Sequence, residues 1–147
     1  MIRIDIPATS ANLGSGFDSL GIALTMCNRV WMEEADELKI TTTDKIKVPT
    51  DETNLIYWAA RHLYQICGKT LPGLHIIQEN NIPMARGLGS SSACIVAGIL
   101  GANRMLGSPM SQSDLINLAA QIEGHPDNTS PAISGGLVAS AMEGKRV

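Results

Sequence analysis

PMARGLGSSSACIVAGILGANRML, Pro83–Leu106, decides the reading of this chain. A proline-led loop supplies two glycines and three consecutive serines, then runs unbroken into an apolar segment. The first turn of a helix leaves backbone N–H groups without intrahelical partners, and the macrodipole makes that end positive. Gly87 and Gly89 lack a Cβ, so the backbone can turn sharply and approach a ligand closely. Ser90, Ser91 and Ser92 add hydroxyls at the helix mouth. The stretch therefore reads as an anion cradle suited to a phosphate, ahead of a buried helix that runs through about Leu106. A serine-capped core helix with a flexible entry is the simpler alternative, and it explains the two glycines and three serines together less well. The standard templates do not fit. No lysine lies between Leu71 and Asp114, which excludes a Walker loop, and Ser92 stands where a dinucleotide fingerprint needs a third glycine. Ala93 stands where a nucleophile elbow needs glycine.

Composition places this loop in an ordinary globular chain. The 147 residues are 44% hydrophobic and 17% charged, enough for one domain with a real core. Aromatics make up only 3%, so the core must be built from Ile, Leu, Val, Ala and Met. A net charge of -3 with no basic stripe argues against a nucleic-acid partner. Cys27, Cys67 and Cys94 show no metal or disulfide spacing and read as reduced core residues. The longest apolar run, Ala93–Ala102, is too short to span a bilayer, and the amino terminus lacks a signal-peptide pattern. A cytoplasmic protein without a membrane partner is the expectation.

Outward from the loop, Ile2, Ile4 and Ile6 alternate with Arg3 and Asp5 as a half-buried strand ending at Pro7. A glycine-rich polar loop, ATSANLGSGFDSLG, separates it from a β-compatible run, Leu20–Glu34. Leu38, Ile40, Ile46 and Val48 predict a hairpin around Asp44. Asp51 is expected to open a helix with Ile56, Ala59, Ala60, Leu63 and Cys67 on one face, stopped by Gly68. Leu74–Gln78 reads as a strand. Ser111 and Asp114 form a capping-box pattern ahead of Leu115, Leu118, Ala119 and Ile122, and Gly124 ends that helix. Gly135–Met142 returns to strand. The order of strands, helix, strand, two helices and strand favours an α+β fold.

Two further clusters carry polar chemistry. QIEGHPDN, Gln121–Asn128, places Glu123 in the last turn of a helix, where the dipole disfavours a negative charge by roughly 0.3–1 kcal/mol. A solvated glutamate tolerates that cost; a bound Mg²⁺ would reverse it. His125 is the only histidine in such a cluster, His62 and His75 reading as ordinary surface or strand residues. TSANLGSGFDSLG offers Asn12 and Asp18 beside Gly14, Gly16 and Gly21. Turn chemistry accounts for its serines, and accounts less well for Asp18 between Phe17 and Leu20.

Together the three clusters resemble one known family. PMARGLGSSSA looks like the P-x-x-x-G-L-G-S-S-A nucleotide motif of the GHMP small-molecule kinases, and PATSANLGSGFDSLGIAL with EGHPDNTSPAISGG resembles the branch of that family that phosphorylates homoserine. The resemblance implies a GHMP amino-terminal domain over residues 1–147, similar to the second domain of ribosomal protein S5, and transfer of phosphate from ATP to the side-chain hydroxyl of L-homoserine on the way to threonine. It implies that Pro83, Met84, Ala85, Arg86, Gly87, Leu88, Gly89, Ser90, Ser91, Ser92 and Ala93 wrap the ATP phosphates, and that Ser91 and Glu123 hold Mg²⁺. By the same resemblance Asn12 and Asp18 bind the hydroxyl end of the substrate, with Asp18 and Glu123 as catalytic groups. His125, Asp127 and Asn128 would hold the opposite, amino-acid end. Gly89→Val is accordingly expected to abolish nucleotide binding and leave the fold largely intact.

Thr129 and Ser130 depart from the family's usual Val-Ala. The family's third glycine-rich motif and later arginines are not found before Val147, so a longer protein with a carboxy-terminal domain, and no turnover by these residues alone, are expected. Oligomeric state stays open, homodimers being common in the family. A GHMP kinase for another small alcohol, or a non-catalytic ligand sensor of this fold, are the rival readings. An amino-acid substrate suits EGHPDN better than the first, and retention of Glu123 and Asp18 argues against the second.

Overall fold

The computed structural model describes residues 1–147. In chain order the elements are β1 (Ile2–Ala11), β2 (Leu20–Glu34), β3 (Lys39–Thr42), α1 (Leu55–Ile66), β4 (Leu74–Glu79), α2 (Ser90–Met105), α3 (Gln112–Glu123), α4 (Thr129–Ser134) and β5 (Leu137–Ala139). The sheet runs β1-β2-β4-β3, with β5 paired to the start of β2. Its pairs are antiparallel except β3 with β4, which are parallel. This is the α+β arrangement the element order favours. No helix is long and apolar enough to cross a membrane.

The core lies between the sheet and helices α1 and α2. Along β1 the period of two puts Ile4 and Ile6 inside while Arg3 and Asp5 bond to each other in solvent. Helix α1 turns Ile56, Ala59, Ala60 and Leu63 into the same core, and α2 buries Ile95, Val96, Ile99 and Ala102. The glycines of α2 make this packing close. A Cβ on Gly98 would overlap the Ile56 carbonyl oxygen, and one on Gly101 would overlap Met32 Sδ, so any larger residue would push α2 off its neighbours.

Several expectations are corrected here. The first strand does not end at Pro7. It continues to Ala11, because β1 is an edge strand where the missing proline N–H breaks no ladder bond. Its register against β2 shifts after Pro7, from Cys27 opposite Pro7 to Ala23 opposite Thr9. The hairpin around Asp44 is absent. Ile40 pairs in parallel with Ile76, whereas Ile46 and Val48 lie outside any strand. Asp44 turns the chain away, accepting from the Ile46 and Asn80 N–H groups at 2.7 Å each. Asp51 caps a turn at Thr53 instead of the helix, which starts at Leu55 behind Asn54. Helix α4 was not expected, six residues containing Pro131 being too short to show a period. The last strand is confined to Leu137–Ala139. The cysteines are free but only partly buried; burial nonetheless pushes the Cys94 thiol up to about 11. The Gly68 stop (φ +68°), the Ser111–Asp114 capping box and the Gly124 terminator are all present.

Two stability effects follow. Asn54 is 3% exposed; its Oδ1 accepts from Ile56 N–H at 3.0 Å and its Nδ2 donates to Gln78 Oε1 and the Pro49 carbonyl at 2.9 Å each. Asn54→Ala removes the cap and leaves the Gln78 oxygen unpartnered, an expected loss of about 2–3 kcal/mol in urea unfolding. Burial opposes ionisation of Asp44, but the hydrogen bonds from Asn80 and Ile46 outweigh it and hold the carboxyl below its ordinary 3.8. A depressed folded-state value stabilises the fold above the unfolded-state value and loses that contribution as pH falls through the folded one. The stability advantage over Asp44→Asn should therefore be steady near neutrality and shrink only below about pH 4.

Candidate active site

The loop entering α2 is built for close approach. Ala85, Gly87 and Gly89 all adopt the left-handed region, with φ of +55°, +70° and +67°. Gly89 occupies the cap position of α2, and no side chain caps that helix. The first N–H of the turn with a partner is that of Ala93, bonded to the Gly89 carbonyl at 2.9 Å, so the amides of Ser90, Ser91 and Ser92 are open. Three open N–H groups at a positive helix end have the chemistry that would suit an anion. The expectation that Gly89→Val would spare the fold is corrected. A Cβ at Gly89 would run into Thr9 Oγ1 and lie 3.2 Å from Asn128 Oδ1.

Glu123 faces this helix mouth from the end of α3. The hydroxyl of Ser92, 1% exposed, donates to Glu123 Oε1 at 3.0 Å, leaving Oε2 without a protein partner. Ser91 is exposed and lines, together with Glu123, a cavity of about 450 Å³ whose other walls are Thr53, Leu55, Trp58, Ile95 and Ile122. A carboxylate and serine hydroxyls are oxygen donors of the kind a hard divalent cation takes. The donor set fits Mg²⁺.

The loop after β1 and the segment after α3 converge. Asn12 and Asp18 are both left-handed, at φ +57° and +52°, and Asn12 Oδ1 accepts from the Asp18 N–H at 2.9 Å. Such strain in non-glycine residues concentrates at functional sites. Gly21 brings β2 against the Asp127 backbone, with no room for a Cβ. Asp127 is 1% exposed, and its Oδ1 bonds His125 Nδ1 at 2.5 Å and the Asn128 N–H at 3.1 Å. Its other oxygen is buried without a partner. One polar atom each from Asp18, His125 and Asp127 lies within 4.8 Å of the others. The two clusters, expected at opposite ends of one ligand, thus meet at one spot. An unpartnered buried carboxylate oxygen beside a second carboxylate favours a cationic group there.

Sequence reasoning missed Thr9, which joins the walls of the site. Its N–H donates to the Leu88 carbonyl at 3.1 Å and its hydroxyl to Asn128 Oδ1 at 2.8 Å. The hydroxyls of Thr129 and Ser130 are buried without partners, and nothing in the structure explains them.

The model of the GHMP kinases N terminal domain matches residues 54–136. The chain belongs to the GHMP kinase family. The chain is 46% identical over its whole length to a homoserine kinase of Moorella thermoacetica, half of which it covers. It is 49% identical over 97% of its length to a homoserine kinase of Trichodesmium erythraeum, covering 49% of that protein. Among solved structures, homoserine kinase from Cytophaga hutchinsonii superposes on 96% of the chain with a TM-score of 0.84 and 31% identity, 48% of that structure being covered. The chain spans about half the length of the curated relatives it matches.

Proposed function

We propose that the full-length protein transfers the terminal phosphate of ATP to the side-chain hydroxyl of L-homoserine, giving O-phospho-L-homoserine in the cytoplasm on the way to threonine. The observation that carries the reading is the uncapped mouth of α2 facing Glu123, in a chain whose relatives are homoserine kinases.

The open amides of Ser90, Ser91 and Ser92 would receive phosphate oxygens, with the loop from Pro83 to Ala93 wrapped around them. Glu123 and the Ser91 hydroxyl would hold Mg²⁺. When bound, Mg²⁺ neutralises charge on the β- and γ-phosphates, the main requirement of phosphoryl transfer. Asp18, with Asn12 holding its backbone, would orient the acceptor hydroxyl. Asp127 buries the anionic oxygen that the substrate ammonium would satisfy, and keeps His125 fixed through Nδ1. Asn128, expected with His125 and Asp127 at the amino-acid end of the substrate, instead borders the phosphate loop beside Thr9 and Gly89, and its amide is assigned to that border.

Full-length protein should release ADP with Mg·ATP and L-homoserine, and show far lower kcat/KM with L-serine, mevalonate and galactose. Comparable rates with serine, or a preference for mevalonate or galactose, would overturn the substrate assignment. Nucleotide binding without turnover on any of them would mark a ligand sensor.

A further inference from the structure

We propose that Thr9 is a positioning residue that sets the side-chain amide of Asn128 for contact with the terminal phosphate; this rests on the triphosphate reading of the site. Along β1 the inside–outside alternation breaks where the register shifts, and Ala8 and Thr9 are both fully buried. Irregularities of this kind re-aim side chains beside active sites. A buried hydroxyl needs a partner, and that of Thr9 finds one 119 residues away, donating to Asn128 Oδ1 at 2.8 Å. With Oδ1 so occupied, the two Nδ2 hydrogens of Asn128 make no hydrogen bond within the chain. They are donors left at the edge of the phosphate loop, where a Cβ on Gly89 would meet both Thr9 Oγ1 and Asn128 Oδ1. Stapling the loop to the strand is a separate job, done by the backbone bond from Thr9 N–H to the Leu88 carbonyl. Valine keeps that bond and the side-chain shape, and removes only the hydroxyl.

The test is a cycle of Thr9→Val, Asn128→Ala and the double variant in full-length protein, with Thr9→Ser as the conservative replacement. Dissociation constants for Mg·AMPPNP and kcat for homoserine-dependent ADP release are measured on each. Thr9→Val should lower kcat about tenfold and weaken Mg·AMPPNP about threefold, while Thr9→Ser stays within about threefold of the parent in both. In the Asn128→Ala background Thr9→Val should change either quantity by less than about twofold, because the interaction it breaks is already gone. Parent-like behaviour of Thr9→Val, or its full effect without Asn128, would overturn the proposal. Failure of Thr9→Val to fold would also overturn it, in favour of a structural role. If the parent shows no homoserine-dependent turnover, the substrate reading fails, and the cycle in nucleotide binding alone decides the role of Thr9.

Discussion

Glu123→Gln in the full-length protein should reduce kcat on the order of 10²–10³-fold, the usual cost of removing one preorganised electrostatic partner from a transition state. The carboxylate ends α3 at a position where the dipole disfavours it, and it faces the open amides of α2 across the Ser92 hydroxyl. Glutamine retains an oxygen that can accept from Ser92 Oγ, so the fold loses no hydrogen bond. Stability should stay level or rise by a few tenths of a kcal/mol, since a negative charge at a helix carboxyl end is removed. A glutamate that merely tolerates solvent predicts the same stability with unchanged turnover. Kinetics therefore separate the two, with urea midpoints showing that the variant is folded.

The second large effect is on stability. Gly89 holds φ +67°, and a left-handed β-branched residue costs roughly 1–2 kcal/mol. Its side chain would also be driven into Oγ1 of the fully buried Thr9, adding about 1–3 kcal/mol of overpacking. Gly89→Val should thus lose about 2–5 kcal/mol in urea unfolding, and its nucleotide binding would fall with its fold. Gly87 is the cleaner probe of the loop: it is left-handed at φ +70°, but a Cβ there meets nothing within 4 Å. Gly87→Val should carry only the backbone strain, and a lost nucleotide affinity there would belong to the loop itself. Equal unfolding midpoints for the Gly89 and Gly87 variants would show that the Thr9 contact is not tight.

What was legible in the sequence follows a physical line. Local signals were readable because neighbouring residues complete them: Ser111 with Asp114, Gly124 behind Ile122, the apolar face of α1, and the glycine–serine entry to α2. Signals that depend on a distant partner were misread. Pro7 looked like a strand end because nothing local says that β1 lies at an edge. Asp51 and Asn54 are both good caps by type, and only the bond from Asn54 to Gln78 on β4 distinguishes them. Ile46 and Val48 resembled a strand, although Asp44 binds across to Asn80 and ends the pairing. At the site, residue types pointed to Asn12, Asp18, Glu123, His125 and Asp127. That Asp18 lies against the His125–Asp127 pair depends on the β1–β2 loop folding over the end of α3. Thr9 sat unnoticed among turn-forming residues, its partner 119 positions away.

On the proposed function, the mouth of α2 and Glu123 together form a Mg·triphosphate site. A crystal structure of the full-length protein with Mg·AMPPNP and L-homoserine tests it most directly. Phosphate oxygens are expected within hydrogen-bond distance of the Ser90, Ser91 and Ser92 amides, with Mg²⁺ on Glu123 and Ser91 and the substrate ammonium beside Asp127. Triphosphate bound away from the α2 mouth, or a metal ion with no contact to Glu123, would contradict it.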